Sequence, residues 1–182
     1  MNIKLIIPVI AVLLFNACKS IDKLTQFDIP LSQTITIPAI IPIDFPFDIP
    51  TPDIMLDIET TYDLDDSGYE LNNTNKDLVE EVLLKELELT VIEPVGEDFS
   101  LLKSIEIYIS ADGESEDKVA WLNIFPELSN TKLETSKANL KKYILKDKIN
   151  LRVKTVIDEI NTRAYDIKID AVFMVNAKIL GI

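Results

Sequence analysis

Tyr165-Asp166-Ile167-Lys168-Ile169-Asp170-Ala171-Val172-Phe173-Met174-Val175-Asn176-Ala177 is the stretch whose reading decides the fold. Tyr165, Ile167, Ile169, Ala171, Phe173, Val175 and Ala177 fall at one parity, and Asp166, Lys168 and Asp170 at the other. A period of two over thirteen residues predicts a long β-strand with one face in a core. Val172 and Met174 break the polar face near its end, so that end needs cover from a helix or a partner.

The same period recurs upstream. Ile149, Leu151, Val153, Thr155 and Ile157 alternate with Asn150, Arg152 and Lys154, a second amphipathic strand. Residues 138–146 have an ambiguous period and read as a short helix or a polar excursion. Ile105, Ile107 and Ile109 alternate with Glu106, Tyr108 and Ser110, and Ala111-Asp112-Gly113-Glu114 turns the chain toward a return strand over 119–125. This is the clearest hairpin, with a loop longer than the minimal two residues. Trp121 lies in the return strand, which assigns it to packing. Residues 86–91 alternate as a half-buried strand, and Pro94 and Gly96 mark a turn after it. Thr74 and Asp77 make a variant capping box ahead of Leu78, Val79, Val82 and Leu83, which predicts a two-turn helix over 75–83.

Further back, residues 54–59 are a short strand candidate, followed by Asp63-Leu64-Asp65-Asp66-Ser67-Gly68. Asp63, Asp65 and Ser67 place oxygen donors at alternate positions before a glycine, as in the first half of a calcium loop. Thr74 stands where an EF-hand needs a bidentate glutamate, and a turn rich in Asp, Ser and Gly needs no metal. Residues 34–52 are more unusual. Ile35, Ile37, Ala39, Ile41, Ile43, Phe45, Phe47 and Ile49 share one parity; Pro38, Pro42, Pro46 and Pro50 share the other, with Pro30 and Pro52. Residues of one parity point their N–H groups toward one lateral edge of a strand, so these prolines silence a single edge. That predicts an edge-protected extended element over 33–49, bent or crossing between sheets. A polyproline ligand is the other reading of such a run.

Seven or eight strands, two short helical pieces and no alternation of strand with long helix predict an all-β, mainly antiparallel fold: an immunoglobulin-like β-sandwich. The boundaries read as a signal peptide over 1–17, a tether over 18–26 and one domain over 27–182.

The beginning of the chain supplies an address. Lys4 precedes an apolar run over 5–15, too short to span a bilayer at about 20 residues, and Ala17-Cys18 closes it. Leu14-Phe15-Asn16-Ala17-Cys18 resembles the lipobox of Gram-negative bacterial lipoproteins. The matching residues are Ala17 and Cys18; Phe15 and Asn16 depart from the usual leucine and small residue. The resemblance implies that the Cys18 thiol receives a diacylglyceryl group and that signal peptidase II cuts between Ala17 and Cys18. Lys19 in place of aspartate implies the outer membrane, facing either the periplasm or the outside. The whole pattern is similar to single-domain β-sandwich outer-membrane lipoproteins, and no activity travels with that likeness.

Composition then narrows the function. The chain carries 31 acidic and 18 basic residues, a net charge of −13. Nucleic acid binding, which needs clustered Lys and Arg, is disfavoured. There is no histidine, which removes His-based general acid–base and nucleophile systems and nearly every zinc or copper site. Four scattered glycines give no phosphate-cradling loop. With Cys18 acylated, no thiol remains for a disulfide. The reading is a non-enzymatic structural, accessory or binding subunit whose only prosthetic group is the covalent lipid. It meets the membrane through that lipid, and another envelope protein or a surface glycan through the sandwich. Two alternatives stay open: a calcium-dependent or carbohydrate-binding module using the loop over 63–68, and a carboxylate-dependent hydrolase with two acids facing across a cleft.

Overall fold

The computed structural model describes residues 26–39, 54–64, 76–157 and 162–178. In chain order they form β1 (Gln26–Ile37), β2 (Ile54–Asp63), β3 (Val79–Glu93), β4 (Leu102–Ala111), β5 (Glu114–Leu122), β6 (Asn130–Lys132), β7 (Glu134–Thr135), α1 (Lys141–Ile144), β8 (Lys148–Ile157) and β9 (Tyr165–Ala177). Two antiparallel sheets result, ordered β1-β9-β3-β6 and β2-β8-β4-β5-β7. The all-β sandwich that the sequence predicts is therefore present. The strand that decided it, β9, sits centrally between β1 and β3, with its alternate residues Ile167, Ile169, Phe173 and Val175 buried.

Its wiring differs from the immunoglobulin-like one. There the first two strands are neighbours in one sheet, whereas here β1 and β2 lie in opposite sheets. The pairs β1–β9, β2–β8, β3–β6 and β4–β5 are the rungs of one long hairpin with its tip between β4 and β5. Rolling that hairpin up brings β9 against β3 and β8 against β4. This is the jelly-roll arrangement. Local alternation reports which face of a strand is buried but not which strand lies beside it, so the sequence leaves the order open. Beyond β6 the chain crosses sheets, since β6 pairs with β3 and β7 with β5.

The predicted helix over 75–83 is replaced by a single 3₁₀ turn, Lys76–Leu78, and the first third of β3. Val79, Val82, Leu84, Leu87, Leu89 and Val91 are the buried residues of this strand. Register shifts between Val79 and Glu81 and between Leu84 and Glu86 each insert a residue. A bulge stretches the inward spacing from two to three, and a strand with bulges mimics helical spacing. Asn139 braces the first bulge: its Nδ2 donates to the Glu80 carbonyl (3.3 Å), its Oδ1 accepts from the Val82 N–H (3.1 Å), and the Leu140 N–H reaches the Val82 carbonyl (2.8 Å). The short helix that follows is α1.

β1 is an edge strand, and Pro30 sits inside its unbroken register opposite Val172. An edge tolerates proline because half of its N–H groups point away from the sheet. The strand starts earlier than predicted, at Gln26, and ends at Ile37; the rest of the predicted extended element lies outside the described residues except Pro38 and Ala39, which are exposed. Val172 and Met174 are half-buried by cross-strand neighbours instead of a helix, Met174 lying between Asp28 and Leu83. The β4–β5 turn is tighter than predicted: Ala111 pairs with Glu114, leaving only Asp112 and Gly113 in the loop, with Gly113 at φ 74°.

The registers define two ends of the sandwich. Gln26, Ala177, Val79, Asp63, Lys148 and the β4–β5 turn lie at the end where the chain enters. Ile37, Tyr165, Glu93, Ile54, Ile157 and Leu102 lie at the other.

Candidate functional site

The outer face of the five-stranded sheet carries a connected polar cluster, and strand alternation builds it. Residues 150, 152 and 154 of β8 face outward, as do 106, 108 and 110 of β4, while their odd neighbours fill the core. Register places Arg152 between Glu59 and Tyr108, and Lys154 between Asp57 and Glu106. The Arg152 guanidinium donates through Nε to Glu116 Oε1 (2.7 Å), through Nη2 to Glu116 Oε2, and through Nη1 to Asp57 Oδ2 (3.2 Å). It also lies 4.8 Å from the centroid of the Tyr108 ring, with the Lys154 ammonium 5.3 Å from the same ring.

The cluster continues across the sheet. The Tyr108 hydroxyl donates to Glu106 Oε2 (2.7 Å), and Lys118 donates to Glu106 Oε1 (2.9 Å). Lys118 stands 5.3 Å from the Trp121 ring, whose Nε1 donates to Glu134 Oε2 (3.0 Å). Trp121 thus belongs to this outer network and not to the core between the sheets. The hydrogen bond from Arg152 holds the Glu116 carboxyl below its ordinary range, and those from Lys118 and Tyr108 do the same for Glu106. The Tyr108 hydroxyl is pushed up by donating to Glu106. Every acid with a resolved shift in this cluster is therefore held ionised. A carboxyl group serving as general acid needs the opposite, a raised pKa.

Two depressions flank this structure. One, lined by Glu59, Thr61, Ser110, Glu116, Asn150 and Arg152, is a polar dent on the outer face, in which Thr61 donates to Asn150 Oδ1 (2.9 Å). The other lies between the sheets, and its lining, Leu31, Leu84, Ile109, Ile149, Ile169 and Phe173 among others, is almost wholly apolar. The first offers hydrogen bonds to a polar group. The second has few groups to orient a ligand.

No protein-family model matches the chain, and no curated protein does. A solved structure titled "Crystal structure of decameric BFDV Capsid Protein" is similar to it at 9% identity, over 83% of this chain and 99% of that one, with a TM-score of 0.36. So distant a likeness carries no argument.

Of the candidate site residues singled out in the sequence, the structure describes Asp63 and Pro38. Asp63 ends β2, and its carboxylate pairs with Lys148 across the ladder (3.1 Å). Asp65 and Ser67 lie outside the described residues, as do Ala17, Cys18, Pro42, Pro46 and Pro50. Pro38 follows β1 and is exposed. Among the described residues, no group of three or more acidic or thiol side chains is placed to hold a metal ion, and no helix is long and apolar enough to cross a membrane. The outer-face cluster escaped the sequence reading. Its signal is present in the opposed charges at outward positions 106, 116, 118, 152 and 154, but it becomes legible only when the neighbour order β2-β8-β4-β5 is known.

Proposed function

We propose that this chain is a lipid-anchored protein of the bacterial outer membrane that works by contact, not by catalysis. The observation that carries the reading is Cys18 directly behind Leu14-Phe15-Asn16-Ala17, the chain's only cysteine, closing a short apolar run that begins after Lys4. Acyl chains contribute about 0.8 kcal/mol per buried methylene, so two or more hold a protein firmly to a bilayer. The sandwich suits contact work: the acids of its outer face that have resolved shifts are held ionised by lysine, arginine and tyrosine donors. A hydrolase's general acid needs a raised carboxyl pKa instead, and Glu106 and Glu116 do not offer one. Of the three candidate calcium ligands the structure describes Asp63 alone, whose carboxylate pairs with Lys148.

Intact-mass measurement of the mature protein tests the proposal. Its expected result is a terminus at Cys18 carrying diacylglyceryl and amide-linked acyl mass, together with release of a Cys18→Ser variant from the membrane fraction. An unlipidated mature terminus, or a Cys18→Ser protein that still sediments with the outer membrane, overturns it.

A further inference from the structure

The described residues hold five large apolar side chains that are exposed: Met55 (75%), Ile92 (38%), Val95 (86%), Ile124 (83%) and Leu128 (56%). All five belong to the end of the sandwich opposite Gln26. Met55 is the second residue of β2 and Ile92 the penultimate residue of β3; Val95 lies in the β3–β4 connection, Ile124 and Leu128 in the β5–β6 connection. These two connections are held as one body. The Phe99 and Phe125 rings meet at 5.1 Å between centroids, tilted by 32°, the Phe99 N–H donates to the Leu128 carbonyl (3.2 Å), and the Val91 N–H donates to the Ser129 carbonyl (2.8 Å). Phe99 is fully buried, so the tip is ordered around an apolar plug while its outermost side chains face water.

Exposed apolar side chains scattered singly need no explanation, but their segregation to one end does. The same strand ends and connections carry Glu93, Glu97, Asp98 and Glu127, with Lys103 at the start of β4 and Arg163 just before β9. Arg163 lies 3.9 Å from Glu97, and the four acids still outnumber the two bases. A second copy of the chain docked tip to tip would set acid against acid, and an anionic bilayer would be repelled in the same way. A protein surface with an apolar centre and a Lys/Arg rim is matched in both respects.

We infer that Ile92, Val95, Ile124 and Leu128 form a docking tip for a partner protein with a basic rim, at the end of the sandwich away from where the chain enters. The inference deepens the contact reading above and rests on it, but it does not require the anchor.

The test is photo-crosslinking in cells with the full-length protein. The crosslinker is placed at 95, 124 or 128, and for comparison at 112 or 147 on the opposite end. The expected result is one adduct of common mass from all three tip positions and none from the comparison positions. Peptide mapping should then place the crosslinked partner site beside lysines or arginines, and the Glu93→Lys/Glu127→Lys variant should lower its yield about tenfold, equivalent to 1.4 kcal/mol. An adduct of twice the chain mass (self-association), an adduct to lipid, an intrachain link to residues 40–53, an acidic partner site, equal yield at both ends, no adduct, or indifference to the charge reversal each overturns it. Unchanged thermal unfolding of the double variant separates loss of docking from loss of fold. Failure of the anchor reading is told apart by Cys18→Ser, which can abolish membrane fractionation while the tip adduct persists.

Discussion

The Tyr143 hydroxyl lies 2.7 Å from Asp117 Oδ2 and 2.6 Å from the Ser115 carbonyl, tying α1 to the β4–β5 hairpin. Tyr143 is fully buried and burial pushes its hydroxyl up, so it stays protonated and donates. The bond from Tyr143, with Lys142 beside it, holds the Asp117 carboxyl below its ordinary range.

We predict that Tyr143→Phe costs about 1.5 to 3 kcal/mol near neutral pH, the range for a hydrogen bond to a charged group. The sign of the pH dependence follows from the depressed folded pKa. The contribution is complete above the unfolded carboxylate value of about 3.9, and is lost as the pH falls through the lower folded value. Urea midpoints for wild type and Tyr143→Phe at pH 7 and in strong acid measure this. The gap should narrow in acid, and a gap independent of pH would show that only packing is involved.

Asn139 carries a second prediction, because one amide serves three backbone groups: the Glu80 carbonyl, the Val82 N–H and the Lys141 N–H. Removing it leaves a part-buried N–H in the bulge without its acceptor. Asn139→Ala should therefore destabilise by about 1 to 3 kcal/mol, while Asn139→Asp, which keeps the acceptor, should cost less. Hydrogen exchange at Val82 should rise in the alanine variant more than exchange at the core residue Ile107. Equal increases at both sites would mean that the bulge is not locally braced.

These two contacts show what the sequence could and could not disclose. β9 was legible to the residue because its period is unbroken and all its inward positions are apolar or small. β3 was not, because its bulges shift the phase and Val79 and Val82 take on helical spacing. The Asp112-Gly113 turn was visible, but the polar residues of β5 beyond it, Glu114 to Lys118, hide a strand whose ladder is set by β4. Arg152 and Glu116 are 36 residues apart and meet only through the neighbour order of the rolled hairpin. Local pattern reveals faces; long-range pairing, which assembles the outer cluster, has no local signature.

Arg152 supplies a third prediction. Its two-armed contact with Glu116 and its third contact with Asp57 hold these two acids close to one guanidinium. Arg152→Lys offers one ammonium in place of a planar fork, and Arg152→Met offers none. The Glu116 carboxyl should therefore titrate at higher pH in Arg152→Lys than in wild type and higher again in Arg152→Met, read by carbon-detected NMR across the acid range. The wild-type difference from Arg152→Met should shrink in molar salt, since exposed charges are screened there. A Glu116 titration that is the same in all three proteins would mean that the contact is not held in solution.

Gly113 gives the last prediction, and its cause is conformational alone. At φ 74° it closes the two-residue β4–β5 turn, and a Cβ built there meets nothing within 4 Å. Crowding is thus excluded, and what remains is the left-handed backbone that side chains disfavour by about 1 to 2 kcal/mol. Gly113→Ala should lose about that much. Gly113→Asn should lose less, because asparagine enters this region more readily than other non-glycine residues. Chemical denaturation of the pair decides it, with unchanged m-values confirming that the same cooperative unit unfolds. If alanine and asparagine cost the same, the turn has relaxed to another type. The Ala111–Glu114 pairing would then be the contact to inspect, because β4 is held in register by β8 and a one-residue slip there would turn the inward residues of β5 toward solvent.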